Sequence, residues 1–214
     1  MQVLGLGYKL NLKSKIQNPK SKILIMPISR IIFLLFFPAC IAILLNQVIL
    51  GYELTHQLLA SGIFFLCIEQ ANMANQDLQK TADAKVKIQD SRLDNFQKTT
   101  ITTIIIELTG FYLSSIWLGG LILILIGIIW FNVLVKIKIE ITASNIIIQP
   151  WKITDRLTVL IADVIGLILA SLWILRIGDF WISWGLFLMA VLYCCIKIFL
   201  FLKSFNYASE MQSK

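Results

Sequence analysis

Residues 31–52, 108–135 and 180–196 contain no Asp, Glu, Lys or Arg, and residues 157–175 contain a single one, Asp163. An uninterrupted apolar run of about 18 residues or more is the length of a helix that crosses a bilayer. The chain as a whole is 58% hydrophobic and only 14% charged, outside the range in which a soluble chain of 214 residues can hide its apolar surface. The expected fold class is therefore an all-α polytopic membrane protein. Four spans follow, at about 31–50, 111–135, 157–175 and 180–202, within a single membrane domain over 26–214.

Two segments leave the number of crossings open between four and six. Residues 58–68 are apolar for eleven positions only, which suits a re-entrant or interfacial piece better than a full crossing; residues 56–72 become an extra crossing in the alternative. Residues 101–135 have the opposite problem, because one helix of that length reaches about 52 Å against a hydrocarbon core of about 30 Å. Either a single span runs from Phe111 and Tyr112 to Trp130 and Phe131, with residues 99–109 as an interfacial extension, or Gly119-Gly120 breaks the run and 101–118 is a crossing of its own.

Charge placement orients the chain. Six basic residues and no acidic one precede the first span, which keeps the N-terminus in the cytoplasm. Four spans place 13 of the 19 basic residues on that side, six spans place 18 there against Arg176 alone, and five spans give only 12 against 7. An even number of crossings with both termini cytoplasmic follows, in a bacterial-type inner membrane. Residues 1–25 form a basic extension in which "KSKIQNP" is followed directly by "KSKILIMP". The near-duplication has the form of a translated tandem repeat and makes Met26 an alternative start.

Residues 73–100 are polar and charge-mixed, with Leu78, Ala82, Val86, Leu93 and Phe96 at helical spacing, and are expected to form an amphipathic helix. Residues 135–151 switch to period two, Lys136, Lys138, Glu140 and Thr142 alternating with Ile137, Ile139 and Ile141. Ala143, Ser144 and Asn145 supply turn chemistry, so a small cytoplasmic β-hairpin is expected.

Signatures of catalysis and metal binding are sparse. The lone histidine, His56, forms Glu-x-x-His with Glu53, but a di-metal bundle needs two such motifs and further glutamates. No C-x-x-C pair, phosphate loop, H-E-x-x-H or G-x-S-x-G element occurs. No enzyme activity, metal or cofactor is expected. Nucleic acid is not an expected partner either, since the basic residues flank spans. The expected partners are the lipid bilayer and a membrane protein or a second copy of the chain.

Asp163 is the residue that asks for an explanation. An ionisable group inside a span is a functional-site hypothesis by default. Ala162, Gly166 and Ala170 make a small-residue column beside it that lets another backbone approach. The turn near residue 178 makes the last two spans antiparallel neighbours, which predicts that Asp163 meets Tyr193 and Lys197. Arg156 and Asp163, seven apart in "RLTVLIAD", together resemble the first-span signature of RDD-family membrane proteins. That resemblance implies a link to ion transport for Arg156 and Asp163, and reaches no further residue. The expected role is a non-catalytic assembly, scaffold or accessory subunit. The alternative is a small transporter or ion/proton exchanger using Asp163.

Overall fold

The structure, a computed structural model, describes residue 32 and residues 34–141 and 146–212, without the side chains of residues 141 and 197–212. The N-terminal duplication, the Met26 start and the hairpin turn at Ala143, Ser144 and Asn145 lie outside the described residues. Six helices and one hairpin follow in chain order: α1 (Leu34–Ile49), α2 (Leu54–Lys87), α3 (Ser91–Ser114), α4 (Gly120–Leu134), β1 (Ile137–Ile141), β2 (Ile146–Pro150), α5 (Leu157–Ile174) and α6 (Asp179–Gln212). A 3₁₀ turn, Ile153–Arg156, leads into α5.

The ends of the helices gather in two groups. At one end, Gln47 near the finish of α1 donates to the carbonyls of Ser115 and Ile116 just past α3, at 3.0 and 3.2 Å, satisfying acceptors that a helix terminus leaves open. There too His56 at the start of α2 packs edge-on against Trp173 of α5, and the Trp173 indole N–H donates to Ser183 of α6. Arg176, in left-handed backbone between α5 and α6, lies 3.6 Å from both Glu53 and Asp179. At the other end Ala84, Leu93, Phe96, Val135, Ile137 and Ile139 form a small core of their own. The hairpin is expected from its alternation and is present, in the register Ile137↔Pro150, Ile139↔Ile148 and Ile141↔Ile146. Its Ile137 and Ile139 face that small core while Lys138 and Glu140 pair outside it.

Three readings of the sequence are corrected. Residues 111–135 are not one helix, because α3 stops at Ser114 and α4 starts at Gly120, which is the alternative reading of a break at Gly119-Gly120. A Cβ on Gly120 would collide with the Gly110 carbonyl oxygen and lie 2.6 Å from the Ser114 nitrogen, and one on Gly110 would lie 2.9 Å from the Ile124 nitrogen. Glycine at both positions is what lets the two backbones touch and the run fold back. Residues 58–68 are not a short re-entrant piece, since they belong to the 34-residue α2, whose polar second half continues the helix. Residues 73–100 are not one amphipathic helix: the chain is extended at Ile88 and restarts at Asp90, whose side chain accepts from the Arg92 N–H at 2.9 Å and caps α3. Leu78, Leu93 and Phe96 are buried as their spacing suggests, whereas Val86 is exposed.

Two helices, Ile153–Ile174 and Asp179–Ile196, are long and apolar enough to cross a membrane. Only 17% and 6% of these apolar windows are buried inside the fold, the reverse of a soluble core helix. The close approach at Gly120 gives a direct test. Gly120→Ala is expected to cost about 1–3 kcal/mol in unfolding measured in detergent, whereas Gly185→Ala, with open space around it, is expected to be near neutral.

Candidate functional site

Helices α2, α3, α4, α5 and α6 surround a cavity of about 580 Å³. The packing that closes the ring is visible at the glycines: Gly62 of α2 lies against Leu186, Phe187 and Ala190 of α6, and Gly166 of α5 lies against Leu125 of α4. The wall is mostly apolar, but four carboxylates line it: Asp77 (α2), Glu107 (α3) and Asp163 (α5) from three different α-helices, and Asp155 from the 3₁₀ turn that leads into α5. Asn132, Thr100 and Thr103 add polar groups to the same wall.

Glu107 is 3% exposed. It stands opposite Gly127 of α4, where an added Cβ would come within 3.1 Å of the Glu107 Cγ, so the absence of a side chain on α4 makes room for the carboxylate. Thr103, one turn back on α3, is buried, and its hydroxyl has no hydrogen-bond partner among the described residues. Asp163 accepts from the Asn132 side chain at 3.4 Å. Asp77 stands on the polar half of α2, where burial pushes its carboxyl up to about 6, and Lys80 offsets only part of that rise.

The predicted partners of Asp163 are arranged differently. Asp163 and Tyr193 line the same cavity, but the Tyr193 hydroxyl donates to Glu69 of α2 at 3.3 Å and Asp163 is engaged from α4. The cause is the packing of the last two helices: α6 lies along α2 and α5 lies along α4, while near their turn the Trp173 indole N–H ties α5 to Ser183 of α6. The side chain of Lys197 lies outside the described residues. Of the small-residue column, Gly166 and Ala170 are buried, with Gly166 facing α4 rather than α6, and Ala162 is exposed on the cavity rim. Arg156 is buried at the cavity mouth, its guanidinium 4.5 Å from the Trp151 ring centre and donating to the Trp151 carbonyl at 3.0 Å.

Asp77, Glu107 and Asn132 were not singled out by the sequence. Glu107 sits where a polar-to-apolar border falls, and Asn132 is an uncharged residue within an apolar run. Glu107 and Asn132 could have been found as polar exceptions beside apolar runs, whereas Asp77, within the polar half of α2, carries no such signal. No protein family, curated protein or solved structure matches this chain.

Two outcomes follow from this geometry. In an Asn132→Ala, Asp163→Ala cycle the coupling is expected at about 0.5–1 kcal/mol, the scale of hydrogen bonds between membrane helices. A cycle pairing Asp163→Ala with Tyr193→Phe should be additive. For Asp77, the folded carboxyl holds its proton to about pH 6 while the unfolded one releases it near its ordinary value. Between those values the unfolded state binds fewer protons, so stability falls as pH rises from about 4 to 6 and then levels. Asp77→Asn is expected to flatten that slope and to be more stable than the parent at pH 7 by roughly 2–3 kcal/mol, read from unfolding curves at pH 4, 5, 6 and 7.

Proposed function

We propose that this chain is a multi-pass integral membrane protein that moves protons or a small cation through the cavity between its helices. The observation that carries the reading is the convergence of Asp77, Glu107 and Asp163, from three helices, on one apolar cavity. Carboxylates are costly in such surroundings and occur in membrane proteins chiefly along ion and proton paths. The resemblance of Arg156 and Asp163 to the RDD-family span fits the same reading.

The proposed topology has six crossings, with both termini cytoplasmic in an inner or plasma membrane. Supporting it, Lys80, Lys85, Lys87, Arg92 and Lys98 project from the same end of the bundle as Lys136, Lys138, Lys152 and Arg156, while Arg176 sits at the opposite end. That is the asymmetry the positive-inside rule describes. The exposed apolar faces of α5 and α6 would then meet lipid. A six-crossing path leaves the small core under the β-hairpin, and the polar half of α2 with Asp77, on the cytoplasmic side.

An assembly or accessory role is the second reading, and the outward face of α6, with Trp181, Leu188, Leu192 and Ile196 exposed, favours it. A membrane-protein partner or a second copy would cover that face. Purified chain in liposomes loaded with a pH-sensitive dye separates the two. An imposed pH or cation gradient is expected to drive proton movement above protein-free vesicles, and Glu107→Gln or Asp163→Asn to return it to that background. Flux indistinguishable from protein-free vesicles, with a stable partner retained in mild detergent, would favour the accessory role.

A further inference from the structure

We propose that the mouth of the cavity is a binding site for an amphiphile with a single anionic head, a phosphate or carboxylate, held by Arg156. The tail of this ligand lies in the apolar part of the cavity. The proposal uses the cavity described above but needs no transport.

Arg156 is 2% exposed, lines the cavity, and carries one terminal guanidinium nitrogen, Nη1, with no hydrogen-bond partner among the described residues. The rest of the group is committed. Nη2 donates to the Trp151 carbonyl at 3.0 Å, Nε reaches the Lys152 carbonyl at 3.5 Å, and the plane rests over the Trp151 ring. The guanidinium is thus fixed in place with one donor edge unused, and a buried donor left unpaired is costly. A guanidinium favours planar, bidentate recognition of carboxylate and phosphate.

Two further features select an anion with a tail. Arg156 is the residue at the start of α5, and a helix N-terminus favours negative charge. Neither neighbouring carboxylate hydrogen-bonds Arg156: Asp155, whose charge does act on the guanidinium, accepts from the Lys152 N–H and the Thr154 hydroxyl, and Asp163 accepts from Asn132. Ile63, Leu66, Leu121, Leu125 and Ile128 give the cavity wall an apolar part, which offers an acyl chain contacts that a free inorganic anion cannot use. Basic pockets between helices at the cytoplasmic level are where lipid head groups bind.

The test uses the full chain in a neutral maltoside detergent and three probes: oleoyl lysophosphatidic acid, monoolein with the same chain and no phosphate, and inorganic phosphate. Native mass spectrometry and the thermal unfolding midpoint are the readouts. Lysophosphatidic acid is expected to bind one per chain at least about tenfold more tightly than monoolein, and Arg156→Gln to reduce it to the monoolein level. Equal affinity for the two lipids overturns the proposal. So does a midpoint shift with inorganic phosphate as large as that with the phospholipid, which would assign the site to a free anion. Should Arg156→Gln fail to fold, the comparison of the two lipids on the unaltered chain decides alone. Because binding is read without flux, a chain that carries no protons can still support the site, and a conducting chain can still overturn it.

Discussion

The close contact of two glycines, Gly110 on α3 and Gly120 on α4, sets the rest of the arrangement. Without it residues 101–135 would form a helix about 52 Å long, about 22 Å more than a hydrocarbon core of about 30 Å can hold. With it the run becomes two antiparallel helices whose backbones touch at the turn. Three consequences follow in space. Gln47 of α1 finds the open carbonyls at the end of α3. Glu107, one turn from Gly110, is brought opposite Gly127 of α4. The C-terminal end of α4 arrives beside the tip of α2 and α3, where the β-hairpin can pack.

A carboxylate taken wholly or partly out of water has to be accommodated or it unfolds its surroundings, and this bundle accommodates one buried and two half-buried ones in different ways. Asp163 has an amide donor in Asn132. Glu107 has space, provided by a glycine on the facing helix, and a wall position on a cavity large enough to admit water or a ligand. Asp77 has partial exposure and the nearby charge of Lys80. A bundle of this size could have filled the same volume with leucine and been more stable for it. Keeping acids on three helices around one space is a cost that structure alone does not require, and it is this surplus that makes the cavity the place to look for function.

Much of the fold was legible from local pattern. The period-two alternation of residues 137–141 gave the hairpin because a one-residue slip would turn Ile137 and Ile139 away from their core. The nearly charge-free runs at 157–175 and 180–196 gave the two helices that are long and apolar enough to cross a membrane. What was not legible depended on contacts between residues distant in sequence. A turn near residue 178 makes α5 and α6 neighbours along the chain, but it does not dictate that their faces meet. Gly62 draws α6 onto α2 and Gly166 draws α5 onto α4, so the helices splay and Asp163 turns toward Asn132 instead of Tyr193. Helical spacing over residues 73–100 was real on each side of the break, yet spacing cannot register an interruption of only three residues, 88–90.

The small core outside the bundle and the cavity inside it share side chains, and this joins the two parts mechanically. Phe131 packs edge-on with Phe96 in the small core and also lines the cavity. Trp151, at the exit of the hairpin, packs on that core while its ring supports the Arg156 guanidinium at the mouth. Its N–H is tied to the Lys136 carbonyl at 2.8 Å, closing the base of the hairpin. A shift of the hairpin would therefore move the ring on which Arg156 rests, and a group seated at the mouth would resist that shift. Packed interiors pass such displacements between discrete arrangements more readily than they absorb them. The two-stranded sheet, too small to be stable by itself, is held by the helix tips and in return fixes the geometry of the cavity entrance.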